Sequence, residues 1–380
     1  MTDRAAATAA AATGLRAFAD QMASTPATIG FDGFVDSIIA VVDKRTSVND
    51  YTPVKTIEQF GRKILDAAGK SGNYELAVKL QKLGGNGPIM ANAMASFGLP
   101  VTYIGALGYP KLHPVFEEFA RSATVHSICQ PGMTDALEFE DGKLMLGKYE
   151  VVQEVRPARI DQTLGFDRFK QIVADTAFLG MVNWTMLSGT SDIWRYLADH
   201  VLPACKNPPL IFVDLADPEK RTDDDLLEAL NLLSQMQKQT QVVLGVNLKE
   251  AIQVARVLGV DATDDPAGPI EQMTVDMREK LETFGVVIHP RQTAAAALKI
   301  DGQVQSSYMT GAFTKTPKLS PGAGDNFNAG FCLGLLAGLD VAASLCVGNA
   351  ASGFYVRNAR SASLAELADF VIDLPEPEWD

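Results

Sequence analysis

Gly322-Ala323-Gly324-Asp325, running into Asn326-Phe327-Asn328-Ala329-Gly330-Phe331, is the stretch of this chain best suited to chemistry. Phe327, Phe331 and Leu335 recur at i, i+4 and i+8, so a helix begins at or just after the glycines. A glycine turn at a helix N-terminus leaves N–H groups aimed outward at the positive end of the dipole, which suits a transferring phosphoryl group. Asp325, in the first turn, is kept ionised by the same field and can accept a proton from a hydroxyl. A glycine turn whose aspartate only complements the helix dipole would look the same, so other residues have to decide.

Three further groups bear on the choice. Asn247-Leu248-Lys249-Glu250 follows the apolar run Gln241–Val246, with Asn247 at a helix N-cap and Glu250 three residues on. Capping alone explains that pair; the functional alternative is that its oxygens anchor a hydrated Mg²⁺, an ion that keeps several waters and needs few direct ligands. Gly84-Gly85-Asn86-Gly87 is a strand-to-helix turn, or else a place where backbone approaches a ligand and Asn86 both donates and accepts. Asp32 and Asp36 flank the end of the first strand, where one carboxylate can grip adjacent hydroxyls of a polyol, or simply face water.

The elements that must position these residues follow from periodicity. A leading helix is expected from about Thr13 to Ala23, a first strand at Ala27–Phe31, and strands at Val35–Asp43 and Tyr74–Leu83 around a helix at Ile57–Ala68. A helix from Pro88 to Phe97, a strand at Val101–Gly105 and a helix at Pro114–Ser122 come next. Turn pairs at Pro131-Gly132 and Asp141-Gly142 predict β-hairpins between Thr124 and Val152. Beyond Val152, short apolar strands (Thr176–Val182, Leu210–Asp214, Gln241–Val246, Val286–His289) alternate with amphipathic helices, the signature of an α/β fold on a largely parallel sheet. Ligands of such folds bind beyond the carboxyl ends of the strands, here Asn183-Trp184, Asp214, Asn247 with Glu250, and His289 with Arg291. No linker or internal repeat divides residues 1–380, so one domain is expected, with a small β-sheet drawn from about 35–83 and 124–152.

Composition narrows the partners. The chain has 380 residues, 47% hydrophobic and 21% charged, and a net charge of −13. A globular protein is implied, and nucleic acid is excluded as a partner because its phosphates would be repelled. The apolar stretch Phe331–Gly348 is broken by Asp340 and glycines, which predicts core helices and no membrane span. The alanine-rich start lacks the strongly apolar core of a signal peptide. The four cysteines form no C-x-x-C pair and the four histidines show no ligand spacing, so a cytoplasmic protein without a histidine-based metal site is expected.

Taken in order and spacing, these motifs resemble the ribokinase-like (PfkB-type) carbohydrate kinases, from about Ile29 to Arg357. The resemblance implies a three-layer α/β/α domain with a mostly parallel central sheet and a β-sheet lid. It implies a phosphotransferase acting on a hydroxyl of a sugar or polyol, with Mg²⁺ and ATP. Asp325 would be the catalytic base, and Gly322, Ala323 and Gly324 the anion hole. Asn247 and Glu250 would organise Mg²⁺ and phosphates, and Asn349 would lie near the nucleotide base. Asp36 matches the sugar-binding aspartate, with Asp32 as a second candidate, and Gly85 and Asn86 would line the sugar pocket.

Three positions depart from the family pattern: Ile89 where an Asn is usual, Leu319 before the glycine turn, and Ile288-His289-Pro290-Arg291 in place of a Thr-Leu-Gly loop. Gly84–Ala91 is also similar to the ADP-dependent sugar kinases, which keeps ADP open as donor. The departures motivate a rival, a non-catalytic sugar- or nucleotide-binding protein; the intact Asp325 speaks against it. A dinucleotide oxidoreductase lacks its G-x-G-x-x-G turn here. A homodimer formed by pairing two lids would cover their exposed edges.

Overall fold

A five-residue run such as Ala27–Phe31, buried at every position, belongs in a sheet covered on both faces. The computed structural model, which describes residues 3–379, places it in the interior of one. In chain order the strands are β1 (Ala27–Phe31), β2 (Phe34–Arg45), β3 (Tyr51–Pro53), β4 (Leu76–Gly84), β5 (Val101–Gly105), β6 (Ala123–Ser127), β7 (Gly132–Phe139), β8 (Gly142–Lys148), β9 (Phe178–Met181), β10 (Leu210–Asp214), β11 (Val242–Val246), β12 (Gly285–Ile288), β13 (Thr293–Ile300) and β14 (Gln303–Thr310). The large sheet has the spatial order β14-β13-β12-β11-β10-β9-β1-β5-β6. Its seven strands from β12 to β6 run parallel, and β13 and β14 extend it as an antiparallel hairpin.

Alternate residues of these strands feed two cores. Ile29, Phe212 and Val243 pack under the helices Arg4–Phe18, Asn86–Phe97, Ala323–Leu336, Val341–Asn358 and Leu364–Ile372. Ile211, Val213 and Leu244 pack under the helices Phe166–Ala174, Asp223–Met236, Leu248–Leu258 and Ile270–Leu281. The result is the expected three-layer α/β/α arrangement. Among the described residues, no helix is long and apolar enough to cross a membrane.

A second sheet is built on β2, which pairs with β3, β4 and β7, while β8 pairs with β7. One face of it has its own small core, with Ile39, Val41 and Leu137 against Val54 and Phe60 of the helix Ile57–Asp66. The opposite face carries Asp36, with Lys82 of β4 and Thr134 of β7 directly across from it.

Four local expectations need correction. The leading helix starts at Arg4, because Asp3 caps it by accepting from the N–H groups of Ala5 and Ala6 and because alanine is the strongest helix former. The Pro114–Ser122 segment forms two short 3₁₀ turns, Pro114–Phe116 and Phe119–Arg121, and no α-helix. Pro131-Gly132 makes no hairpin: β6 joins the large sheet beside β5 and β7 crosses to the small one, so the chain changes sheets there. The β13–β14 hairpin was not anticipated, although Asp301-Gly302 at its tip, both at positive φ, is a type I′ signal.

The position of the glycine turn depends on how the helices Ala323–Leu336 and Val341–Asn358 cross. A β-carbon on Gly330 would lie 2.6 Å from Ala351 Cβ and 2.7 Å from the Val347 carbonyl, and one on Gly348 would meet the Phe327 ring at 2.9 Å. Gly330→Val is therefore expected to force the pair apart and cost roughly 1–3 kcal/mol. Thermal unfolding followed by circular dichroism checks this, and an unchanged Tm would show that the crossing yields easily.

Candidate active site

The sheet delivers its polar residues at the carboxyl ends of neighbouring strands. Asp32 follows β1, Asn183 follows β9, Asp214 ends β10 and Asn247 follows β11. Above them, two helix N-termini meet. Gly85, at φ 98°, opens the helix Asn86–Phe97, and Gly322, also at φ 98°, opens the helix Ala323–Leu336. Left-handed backbone at both turns favours glycine. At the second turn the N–H of Ala323 bonds to Ser320 and that of Asn326 to Gly322. The N–H groups of Gly324 and Asp325 have no carbonyl partner among the described residues, which leaves an anion-attracting pair beside the carboxylate.

Asp325 is only 7% exposed. Its one side-chain donor among the described residues is the amide of Asn86, with Nδ2 2.9 Å from Oδ1. Burial, with smaller pushes from Asp32 and Glu250, raises its pKa to about 8 in spite of that bond. Asp32 behaves differently. It is wholly buried, and its two oxygens accept from the N–H groups of Asn86 (2.9 Å) and Gly87 (2.8 Å) and from Asn183 Nδ2 (2.7 Å). The Tyr103 hydroxyl donates to its carbonyl at 2.7 Å and lies 3.2 Å from Oδ1. Burial lifts its pKa to about 6 against the pull of these donors. With no exposed surface and its acceptors occupied, Asp32 is not available to a sugar, which corrects its place as a binding candidate.

Asp36 is half-buried on the inner face of the small sheet. Burial raises its pKa, partly offset by Lys82, Thr134 and Lys143. Its carboxylate presses against Gly84, where a β-carbon would come within 2.5 Å. Two residues later, Asn86 reaches Asp325. The segment Gly84-Gly85-Asn86 thus brings Asp36 and Asp325 into one site, while Asp32 stays beneath it.

Asn247 and Glu250 form a complete capping box. Asn247 Oδ1 accepts from the Glu250 N–H at 3.1 Å, and Glu250 Oε2 accepts from the Asn247 N–H at 2.9 Å. Glu250 Oε1 takes the Asp217 N–H at 2.8 Å, so each oxygen keeps a free lone pair. Burial raises the Glu250 pKa, and Asp214 is raised further by burial and by the charges of Glu250 and Asp325, with Asn328 Nδ2 donating to it at 2.8 Å. Among the described residues, no Lys or Arg forms a salt bridge with Asp32, Asp214, Glu250 or Asp325. A buried negative cluster without a counter-charge suits a cation. No group of three or more His, Cys, Asp and Glu side chains is arranged as a ligand cage among the described residues. These residues therefore fit Mg²⁺ held mainly through water.

On the other side of the glycine turn lies a cavity of about 510 Å³, lined by Asn247, Arg291, Gly324, Asn349 and Val356 among others. His289 also lines it, stacked on Phe327 with centroids 4.7 Å apart, and burial lowers its pKa to about 4, so the ring is neutral. Asn349, buried in the helix Val341–Asn358, donates to the Thr310 carbonyl at 3.2 Å. Ile89 packs against Gly322, where a β-carbon would meet its methyl at 3.1 Å. The sequence motifs give no role to Asn183, Asp214 or Asn328; the strand-end rule points to Asn183 and Asp214, and Asn328 has no local signal.

Comparison with known proteins agrees with this fold. A family model of prokaryotic ketohexokinases matches residues 2–373. A ketohexokinase of Haloferax volcanii is 30% identical over 344 residues, covering 90% of this chain and 89% of that protein. Ribokinase from Cryptococcus neoformans var. grubii in complex with ADP superposes with a TM-score of 0.63 at 16% identity, over 91% of this chain and 99% of that one. Arabidopsis thaliana ribokinase with ribose and ATP gives 0.62 at 15% identity, over 92% and 99%. At such identities the solved structures speak for the fold, and the sequence matches for the class of reaction. The chain belongs to the prokaryotic ketohexokinase family and is a carbohydrate kinase on the ribokinase fold.

Proposed function

We propose that this kinase transfers the terminal phosphoryl group of ATP to a hydroxyl of a ketohexose, with Asp325 as the general base. The acceptor class rests on the name of the Haloferax relative. The observation that carries the chemistry is Asp325 itself: buried at a helix N-terminus, oriented by Asn86, and set between the Asp36 face and the 510 Å³ cavity. Its carboxylate takes the proton of the attacking hydroxyl. The N–H groups of Gly324 and Asp325, in the turn that Gly322 and Ala323 shape, face the charge on the transferring group. Asp36 grips sugar hydroxyls, with Gly85 and Asn86 as neighbouring pocket wall. Asn247 and Glu250 hold the hydrated metal site, and Asn349 lines the end of the cavity that takes the nucleotide base. When bound, Mg²⁺ supplies positive charge that offsets the phosphates. ADP is the alternative donor, on the strength of the Gly84–Ala91 stretch.

Asp325→Asn keeps size and shape but removes the base, so turnover should fall by about a thousandfold or more while nucleotide binding persists. Phosphoryl transfer followed by ³¹P NMR, with Mg²⁺, ATP or ADP in separate tubes, and a panel of ketohexoses and aldohexoses, checks donor, acceptor and base together. Activity within a few-fold of the parent would remove Asp325 from its role.

The base must be ionised to act, so kcat/KM is expected to rise with pH and level off above about 8. Stability of the ligand-free protein should run the other way. The unfolded chain releases this proton near the model-peptide value of 3.8, whereas the folded chain holds it to about 8. The folded state therefore gains from it fully below about pH 4 and loses that gain as pH rises to about 8. A Tm that is flat from pH 5 to 8 would contradict the assignment, and Asp325→Asn should flatten the slope.

The lid suggests how the chain assembles. Leu76, Val78 and Leu80 alternate along β4 and are 42%, 56% and 56% exposed, on a strand that among the described residues pairs only with β2. An apolar edge strand of this kind calls for a cover, and we infer a second copy of the chain. Sedimentation analysis should report a dimer that Leu80→Glu converts to monomer; a monomeric parent would refute it.

A further inference from the structure

Asp325 has two oxygens and, among the described residues, a single side-chain donor, Asn86, so the direction in which its second oxygen points depends on where Asn86 stands. Asn86 is the first residue of its helix, and its own N–H is held at 2.9 Å by Asp32. The other oxygen of Asp32 holds the next N–H, that of Gly87, at 2.8 Å. This two-point grip fixes the first turn of the helix in position and rotation. The grip is itself tied down: Asn183 donates to Asp32 at 2.7 Å, and Tyr103 donates to its carbonyl. A β-carbon on Gly87 would lie 2.5 Å from Asp32 Oδ1, so it is glycine at this position that lets the carboxylate come so close to the helix.

Building on the reading of Asp325 as the base, we infer that Asp32 is a positioning residue, which acts through Asn86 to aim the Asp325 carboxylate at the acceptor hydroxyl. Purely structural burial does not account for its form. An apolar side chain would leave two buried N–H groups unpaired, but an Asn or a water could satisfy one of them; only a carboxylate accepts from both at once with fixed geometry. Asp32 also sits at the positive end of the helix dipole, where its charge is favoured, so the grip stays in place without a counter-ion.

The test is a double-mutant cycle read in kcat at a pH above the Asp325 ionisation, so that the change of charge at position 32 does not enter. Asp32→Asn should lower kcat by about tenfold to a hundredfold, as misplacement of a reacting group does, with the sugar KM within about threefold. Asn86→Ala should lower it similarly. In the double variant the losses should not multiply, because Asp32 has nothing left to position. Multiplicative losses, or an Asp32→Asn enzyme within twofold of the parent, would overturn the inference. Should Asp32→Asn fail to fold, Asn183→Ala serves in the same cycle. It should lower kcat several-fold in the parent and leave the Asn86→Ala enzyme unchanged; equal losses in both backgrounds would overturn the inference. Asp325→Asn measured alongside reports separately on the base: if that variant stays active, the reading of Asp325 fails, whatever the cycle shows.

Discussion

The site is organised by acidic side chains buried at the ends of three parallel strands and at one helix N-terminus, with no salt bridge to any of them among the described residues. Each carboxylate is compensated in its own way. Asp32 takes two backbone N–H groups and an amide, Glu250 takes two backbone N–H groups, and Asp214 takes the Asn328 amide. Asp325 takes the Asn86 amide. Asp214 and Asp325 thus have one side-chain donor each among the described residues, fewer than Asp32, and burial raises the pKa of both. A buried carboxyl whose pKa is raised towards neutrality can exchange a proton there.

Why the carboxylates tolerate each other is a matter of dipoles. Asp32 and Asp325 lie at two converging helix N-termini, and Glu250 lies in the first turn of a third. Three positive helix ends stand in for lysines and arginines, and they do so without side chains that would occupy the space a phosphate needs. The lack of a β-carbon at Gly84, Gly85, Gly322 and Gly324 serves the same end, since backbone there can approach a ligand closely.

Much of this was legible in the sequence. The glycine turn with its periodic Phe327 and Phe331, the Asn247–Glu250 capping pair and the alternation of apolar strands with helices each follow from local spacing, and the structure has them where that spacing puts them. What stayed hidden was long-range. Asp32 and Asp36 are four residues apart and read alike in sequence, yet one is beneath the glycine turn and the other on the lid face, because the chain leaves the large sheet for the small one between them. Likewise Pro131-Gly132 reads as a hairpin turn and proves to be a crossing between sheets, a distinction that depends on partners with no local signal. Asn183 and Asn328 matter only through the acids they touch, more than 100 positions away in the chain.

That crossing has a mechanical consequence. β4 belongs to the small sheet, and with only Gly85 between, it is followed by the helix whose first residue donates to Asp325. β2, its partner, begins two residues after Asp32. Asp36 leans on Gly84 from the lid side while Asp32 grips Asn86 and Gly87 from the sheet side. The small sheet and the helix Asn86–Phe97 are therefore successive parts of one strand-turn-helix segment, gripped at its turn by the Asp32 carboxylate. Gly85, at positive φ, is the residue of that turn whose backbone is open to glycine, so along this connection β4 can change direction while Asn86 keeps its place. The small sheet is in this way tied directly to the residue that donates to Asp325.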